Sequence, residues 1–243
     1  RGATGVRKVE AVCAKRKHIR EEASVFERHT HLPVEHHSAI ADVVDGLVTL
    51  WTSPQVVQYV HRALAKVLEL PMNRIRVIGA AHGGGFGGKT DPFAHEIIVC
   101  KLAMLTGRPV KCTLTREEVF YAHRGRHPVL MWVRTGVKKD GRITAMHFKT
   151  ALDGGAYGSY GVASTFYTGA LQTVTYHIPA YRFEGCRVFT NQPPCGPKRG
   201  HGNPQPRCAP EPHPEKSARD LRIDPDHRKR THFRQAQHRT PTP

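Results

Sequence analysis

The sequence predicts an α+β fold of mixed layers. Three observations carry that reading. Two segments repeat apolar residues at helical spacing between cap and stop signals. Several short runs rich in Val, Ile, Thr and aromatic residues read as strands, with Asp-Gly turns between two pairs of them. The two kinds of element alternate irregularly and without internal repeats, which points to α+β layering.

In chain order, residues 1–28 read as a polar lead-in rich in Lys, Arg, Glu and His. "EHHSAIADVVDGLVTLWTS" has strand character, with Asp45-Gly46 as the turn. "SPQVVQYVHRALAKVLELP" reads as a helix, with Ser53 as N-cap, Pro54 at the first helical position and Pro71 as the stop. Its predicted apolar stripe is Val56, Val57, Val60, Ala63, Leu64, Val67 and Leu68. "RIRVIGAA" is a short strand running into a glycine loop.

A second helix is expected over "DPFAHEIIVCKLAMLTG", capped by Asp91, with Pro92 in its first turn and closed by Gly107. Phe93, Ile97, Val99, Leu102 and Leu105 are its expected apolar side. "PVKCTLT" reads as a strand and "REEVFYAHRG" as a short helix. "VLMWVRTGV" and "RITAMHFKTAL" form a hairpin about "KKDG". "DGGAYGSYG" is a second glycine-rich loop, "TVTYHIPAYRFEGCRVFTN" gives further strand-like runs, and "QPPCGPKRGHGNPQPR" is a loop. From Cys208 apolar residues become scarce, and residues 208–243 read as a poorly packed or disordered basic tail.

The 243 residues suffice for one large domain or two small ones. A formal charge of +17 favours anionic partners without specifying fold or chemistry. The six cysteines contain no C-x-x-C pair, which argues against a cysteine-ligated zinc or iron–sulfur site. No signal peptide is evident and no apolar run reaches membrane-spanning length, so a reduced, cytoplasmic protein is expected. The first residue is Arg1, which reads as the start of an internal fragment.

The sharpest local signal is "AAHGGGFGGKTDPFAHEI". Gly83, four intervening residues and Gly88-Lys89-Thr90 satisfy the phosphate-loop spacing, between a strand and a helix as that motif requires. A nucleotide-binding or basic nucleic-acid-binding module is therefore one alternative, and a non-functional truncated product is another. Two features disfavour a nucleotide loop. The following strand offers no acidic end to help hold Mg²⁺, and Phe86 interrupts a backbone that should curl around a phosphate. Glycines this dense instead let the backbone approach a large planar ligand and donate N–H groups to its oxo or phosphate oxygens.

At this point the sequence resembles a known family. "HGGGFGGK" is similar to the glycine loop of the molybdenum hydroxylases, the xanthine dehydrogenase and aldehyde oxidase family. "CGPKRGHGNPQPR" resembles that family's second cofactor loop, and "HLPVEHHSAIA" the segment before its first helix. The resemblance runs from about residue 29 to 207, and residues 29–207 are read as a partial molybdopterin-binding domain. Within the family, "KTDPFAHEI", "ALDGGAYGSYG" and "PPCGPKRGHG" most resemble the large subunit of the 4-hydroxybenzoyl-CoA reductase branch.

The resemblance implies a mixed, incomplete molybdenum-cofactor domain. Gly85, Phe86, Gly87, Gly88, Arg199, Gly200 and Gln205 would contact the cofactor, with the Gly87 N–H approaching an oxo ligand and Arg199 facing metal and substrate. Gln205 would be structural or touch the pterin. No side chain would ligate the metal directly. The implied cofactor is molybdopterin cytosine dinucleotide with molybdenum. Iron–sulfur clusters and FAD would lie on two partner subunits of a heterotrimer, with dimerisation of that assembly open. An aromatic acyl-CoA, dehydroxylated reductively, or an aromatic or heterocyclic compound, hydroxylated, would be the substrate.

Departures from the pattern are also visible. Thr90 stands where purine-oxidising members carry Glu, and "PKRGHG" lacks the cysteine of the carbon monoxide dehydrogenase branch. A His near His29 or His31 replaces an upstream glutamine. The family's general-base glutamate lies several hundred residues beyond the second loop, so the fragment alone is expected to be inactive.

Other residues invite weaker readings. His36, His37, His82, His95, His123 and His127 suggest metal ligands only at the level expected from 17 scattered histidines. Tyr157, Tyr160 and Tyr167 fit packing better than an aromatic substrate. Cys195 reads as a buried thiol rather than a reactive one, and the basic ends as solvated charge runs without a nucleic-acid module. Neither membrane nor nucleic acid is expected as a partner.

Overall fold

The computed structural model describes residues 2–5, 9, 18–176, 178–208, 216 and 218–224. The fold is mixed α+β and divides into two compact units, residues 29–126 with 196–199, and residues 1–28, 127–195 and 200–243.

The first unit holds a four-stranded sheet. β3 (Ser38–Val44) and β4 (Leu47–Thr52) form a hairpin turning on Asp45 and Gly46, both at positive φ (50° and 73°), as the Asp-Gly pair predicts. β5 (Ile75–Gly79) pairs parallel to β4, and β6 (Val110–Thr113) antiparallel to β3, giving the order β5-β4-β3-β6. Helices α1 (Val57–Leu68) and α2 (Ala94–Thr106) provide the rest of the layer, and α3 (Arg116–Ala122) follows β6. The core is Ala39, Ala41, Val48, Leu50, Val60, Leu64, Val99, Cys100 and Ala103 with their neighbours.

Local chemistry explains most boundaries, and several expectations are corrected. α1 begins at Val57, three residues later than Pro54, because the Ser53 hydroxyl is bonded to Glu35 instead of capping. Only Val60, Leu64 and Leu68 of its predicted stripe are buried, while Val67 is exposed. α2 starts after Phe93, whose N–H donates to Glu96 Oε2 at 2.8 Å, so Asp91 is not its cap. Gly107 closes it at φ 62° as expected. Its buried face is His95, Glu96, Val99, Cys100 and Ala103, leaving the predicted Leu102 and Leu105 exposed. α3 opens on a capping box, with the Thr115 hydroxyl taking the Glu118 N–H and Glu118 taking the Thr115 N–H.

The second unit is built on a five-stranded sheet, in the order β1 (Gly2–Gly5), β9 (Ala180–Val188), β8 (Ile143–Asp153), β7 (Val129–Val137) and β2 (His18–Phe26). β7 and β8 are the predicted hairpin, turning at Lys138–Gly141. β9 lies parallel to β8 and pairs with β1. The lead-in reads as irregular in sequence, yet β2 pairs with β7 over its whole length. It is an edge strand without a fully buried face, so its charged residues hide the apolar alternation that usually marks a strand. Helix α4 (Gly161–Ala170) carries no helical signal in the sequence. It packs through small residues, with Gly169 against the Phe183 ring and Gly185 against Thr165. Two short helices follow, α5 (Gln172–Thr175) and α6 (Pro204–Cys208). The core is Val129, Met131, Val133, Met146, Phe148, Leu152 and Phe183.

Much of the tail expected over 208–243 lies outside the described residues. Within it, Ala218 is fully buried and Asp220 pairs with Arg20 of β2 at 2.5 Å.

Candidate functional site

The glycine loop is folded back on itself and anchored from outside. Gly88 N–H donates to Gly85 O at 2.8 Å, and Thr90 bonds Gly87 O through both its N–H (3.3 Å) and its hydroxyl (2.7 Å). Gln55 Oε1, at the approach to α1, accepts from Gly87 N–H at 2.8 Å and from Lys89 N–H at 3.1 Å. Glu35 takes the Gly83 N–H on Oε2 and pairs with Lys89 Nζ through Oε1. Ser53 Oγ donates to the same oxygen at 2.5 Å and accepts from Lys89 Nζ at 3.1 Å.

This geometry disposes of the phosphate-loop reading. The lysine that would reach a nucleotide's phosphates is only 3% exposed and held by Glu35. The threonine hydroxyl that would face Mg²⁺ closes the loop instead. α2 begins four residues beyond Thr90, so no helix N-terminus backs the loop.

The second predicted loop meets the first within the same unit. Arg199 N–H donates to Phe86 O at 2.9 Å, and the Arg199 guanidinium lies over the Phe86 ring, 5.5 Å from its centroid. Phe86 adopts φ 49° and its ring is 39% exposed. The Arg126 guanidinium donates to Arg199 O, and Lys198 Nζ to Thr30 O at 2.7 Å. Gly87, at φ 94°, passes so close that a Cβ there would stand 2.8 Å from Pro197 O. Among the described residues, the Gly84, Gly85 and Phe86 N–H groups and the Arg199 guanidinium make no hydrogen bond. These donors, with the guanidinium charge beside them, suit an anionic, oxygen-rich ligand.

Comparison with known proteins agrees with this reading. The family model for the molybdopterin cofactor-binding domain matches residues 3–233. The chain belongs to that family. It is 34% identical over 209 residues to the nicotinate dehydrogenase large molybdopterin subunit of Eubacterium barkeri, covering 84% of this chain and 48% of that one. It is 33% identical to a probable xanthine dehydrogenase subunit of Bacillus subtilis, covering 85% of this chain and 27% of the relative. The aldehyde oxidoreductase of Desulfovibrio gigas superposes with a TM-score of 0.91 at 27% identity, over 99% of this chain and 26% of that one. The quinoline 2-oxidoreductase of Pseudomonas putida 86 gives 0.88 at 26% identity, over 97% and 31%. The chain thus spans between a quarter and a half of these relatives.

In this molybdopterin cofactor-binding domain, Gly85, Phe86, Gly87, Gly88 and Arg199 come together in the first unit. Gly200 and Gln205 belong to the second, where Gly200, at φ 73°, accepts from Asn203 N–H at 2.8 Å and Gln205 is buried. The Gly87 N–H, expected to face an oxo ligand, is held by Gln55, and the free donors are its neighbours Gly85 and Phe86.

Gly88 rests on two buried imidazoles. A Cβ there would collide with His123 and come within 2.9 Å of His31. His31 Nε2 is 2.6 Å from Pro197 O, and a carbonyl only accepts, so Nε2 carries the proton. His123 Nδ1 is 3.0 Å from His37 Nε2. Burial pushes His31, His37 and His95 down to about 4, and His123 down to about 2, so all four are neutral at pH 7.

Sequence reasoning missed Glu35, Gln55 and this support layer. Glu35 carried one signal, being the only carboxylate between Glu27 and Asp42. Elsewhere, Cys195 is buried and its thiol is pushed up to about 11 by burial, as an inert thiol should be. Among the described residues, no helix is long and apolar enough to cross a membrane.

Proposed function

We propose that this chain is the part of a molybdenum-dependent oxidoreductase subunit that seats the cofactor with its glycine loop and Arg199 segment. The observation that carries the reading is the Phe86–Arg199 junction. There, backbone N–H groups and a guanidinium stand without acceptors beside a glycine-bare backbone.

The residues fit a molybdopterin. Gly85 and Phe86 would donate to its anionic oxygens, Arg199 would supply the adjacent positive charge, and the Phe86 ring would cover the guanidinium's other side. When bound, the group supplies two-electron redox chemistry at molybdenum, and the protein contributes preorganised donors. Gln55 fixes the loop so that its donors need no rearrangement on binding. Arg199 is also placed to orient an electron-rich substrate beside the cofactor. No side chain here is assigned as a metal ligand.

The cytosine dinucleotide form, iron–sulfur and FAD partner subunits, and a cytoplasmic enzyme remain part of the proposal. The relatives' names, nicotinate and xanthine dehydrogenase, support hydroxylation of a heteroaromatic compound ahead of reductive dehydroxylation of an aromatic acyl-CoA.

The test is molybdenum and pterin content after expression in a host that makes the cofactor. Near-stoichiometric molybdenum is expected, with at least a tenfold loss in Arg199→Ala. Folded protein that carries none, or Arg199→Ala that carries as much, overturns the assignment.

A further inference from the structure

A groove in the second unit has no part in the cofactor seat. It is an open groove of about 630 Å³ on the face of the five-stranded sheet opposite the Phe148–Phe183 core. Glu21, Trp132, Arg134, His147 and Lys149 line it. We propose that this groove binds a small aromatic carboxylate, whose ring stacks on Trp132 and whose anionic group meets Lys149.

Register puts the two recognition groups side by side. Trp132 of β7 is the direct antiparallel partner of Lys149 of β8. Directly opposed residues on one sheet face hold their Cβ atoms about 5 Å apart. One benzoate-sized molecule therefore reaches both the indole face and the ammonium. Trp132 is 42% exposed on a strand whose alternate residues are core, so its ring is presented and not absorbed by packing.

The charge balance selects an anion. Glu21 is taken by Arg134 at 2.9 Å, and Glu22 by Lys216 and by Arg20 at 3.8 Å. Glu184 is shared between His147 at 2.9 Å and Arg182 at 2.8 Å. Lys149 acts on Glu184 only through space and makes no hydrogen bond or close ion pair among the described residues. Of the two Lys or Arg side chains that line the groove, Arg134 is held by Glu21, and Lys149, beside the tryptophan, is the one placed to take an anion. An exposed pair of this kind gives modest affinity, because water screens the charge and the groove is open.

The chain has two tryptophans, so Trp51→Phe leaves Trp132 as the sole reporter. The full chain carrying that substitution is titrated with benzoate and, separately, with neutral benzamide. A saturable change in Trp132 emission with benzoate is expected, at least tenfold weaker with benzamide, and at least tenfold weaker in Lys149→Gln. Equal responses to the two probes, no saturable response, or unchanged benzoate binding in Lys149→Gln overturns the proposal. Saturation-transfer NMR of benzoate on the unsubstituted chain tests the same binding if Trp51→Phe disturbs folding. Trp132 and Lys149 lie outside the cofactor seat, so molybdenum content is expected to be unchanged in Lys149→Gln.

Discussion

The Lys89 ammonium is buried against the Glu35 carboxylate, and Glu35 reaches back with its second oxygen to the Gly83 N–H. One side chain therefore ties both ends of the glycine loop. Removing one partner of a buried pair leaves the other charge uncompensated, at a cost of about 3–5 kcal/mol. Glu35 retains some exposure, which places Glu35→Ala at the low end of that range. Urea denaturation should show it. The double substitution Glu35→Leu with Lys89→Met should recover part of the loss, since it removes both charges. A Glu35→Ala protein as stable as the parent would mean that the pair does not hold the loop.

Acid should unfold the first unit early. In an unfolded chain histidine titrates near pH 6.5, whereas burial holds His31, His37 and His95 near 4 and His123 near 2. As pH falls below about 6.5, the unfolded state takes up protons that the folded state refuses. Their stabilising contribution is therefore full above that pH and is lost on the way down to 4 and below, at up to about 1.4 kcal/mol per pH unit for each group. Glu96, raised by burial, acts in the opposite direction and offsets part of the slope. The urea midpoint should drop steeply between pH 7 and pH 5. A flat profile would show that these histidines are not buried neutral.

The signals legible in the sequence are local ones. Asp45-Gly46 and the Lys138–Gly141 turn each act within four residues, and each sits where turn chemistry puts it. The Phe86 and Arg199 loops are legible through their resemblance to a family. The rest depends on long-range partners. Ser53 looks like an N-cap until Glu35 claims its hydroxyl. α4 has Gly, Ser and Thr on its buried side, and only Phe183 against Gly169 reveals that it is a packing helix. His123 is unremarkable among 17 histidines until Gly88 lands on it.

Gly87 and Gly107 both have positive φ, but only Gly87 is crowded. A Cβ at Gly107 meets nothing within 4 Å, so Gly107→Ala should cost only the left-handed backbone strain, about 1–2 kcal/mol. A Cβ at Gly87 meets the Pro197 carbonyl, which is fixed by its bond with His31. Strain and overpacking together should cost about 2–5 kcal/mol and separate the Arg199 segment from the loop. Thermal melting of the two variants tests the difference. Equal costs would mean that the segment 196–199 yields freely.

Gln55 separates loop stability from cofactor retention. Gln55→Ala removes the acceptor of the Gly87 and Lys89 N–H groups, at about 0.5–1.5 kcal/mol because the site is open to water. Gln55→Glu keeps an acceptor in place and makes both hydrogen bonds charge-assisted, so the loop should be at least as stable as in the parent. It also puts a carboxylate next to the unpaired Gly85 and Phe86 donors, where it repels an anionic ligand. Molybdenum content should therefore fall at least tenfold in Gln55→Glu while the urea midpoint holds. If the variant keeps its molybdenum, the anionic cofactor does not sit against these donors, and the cradle assigned to Phe86 and Arg199 is wrong.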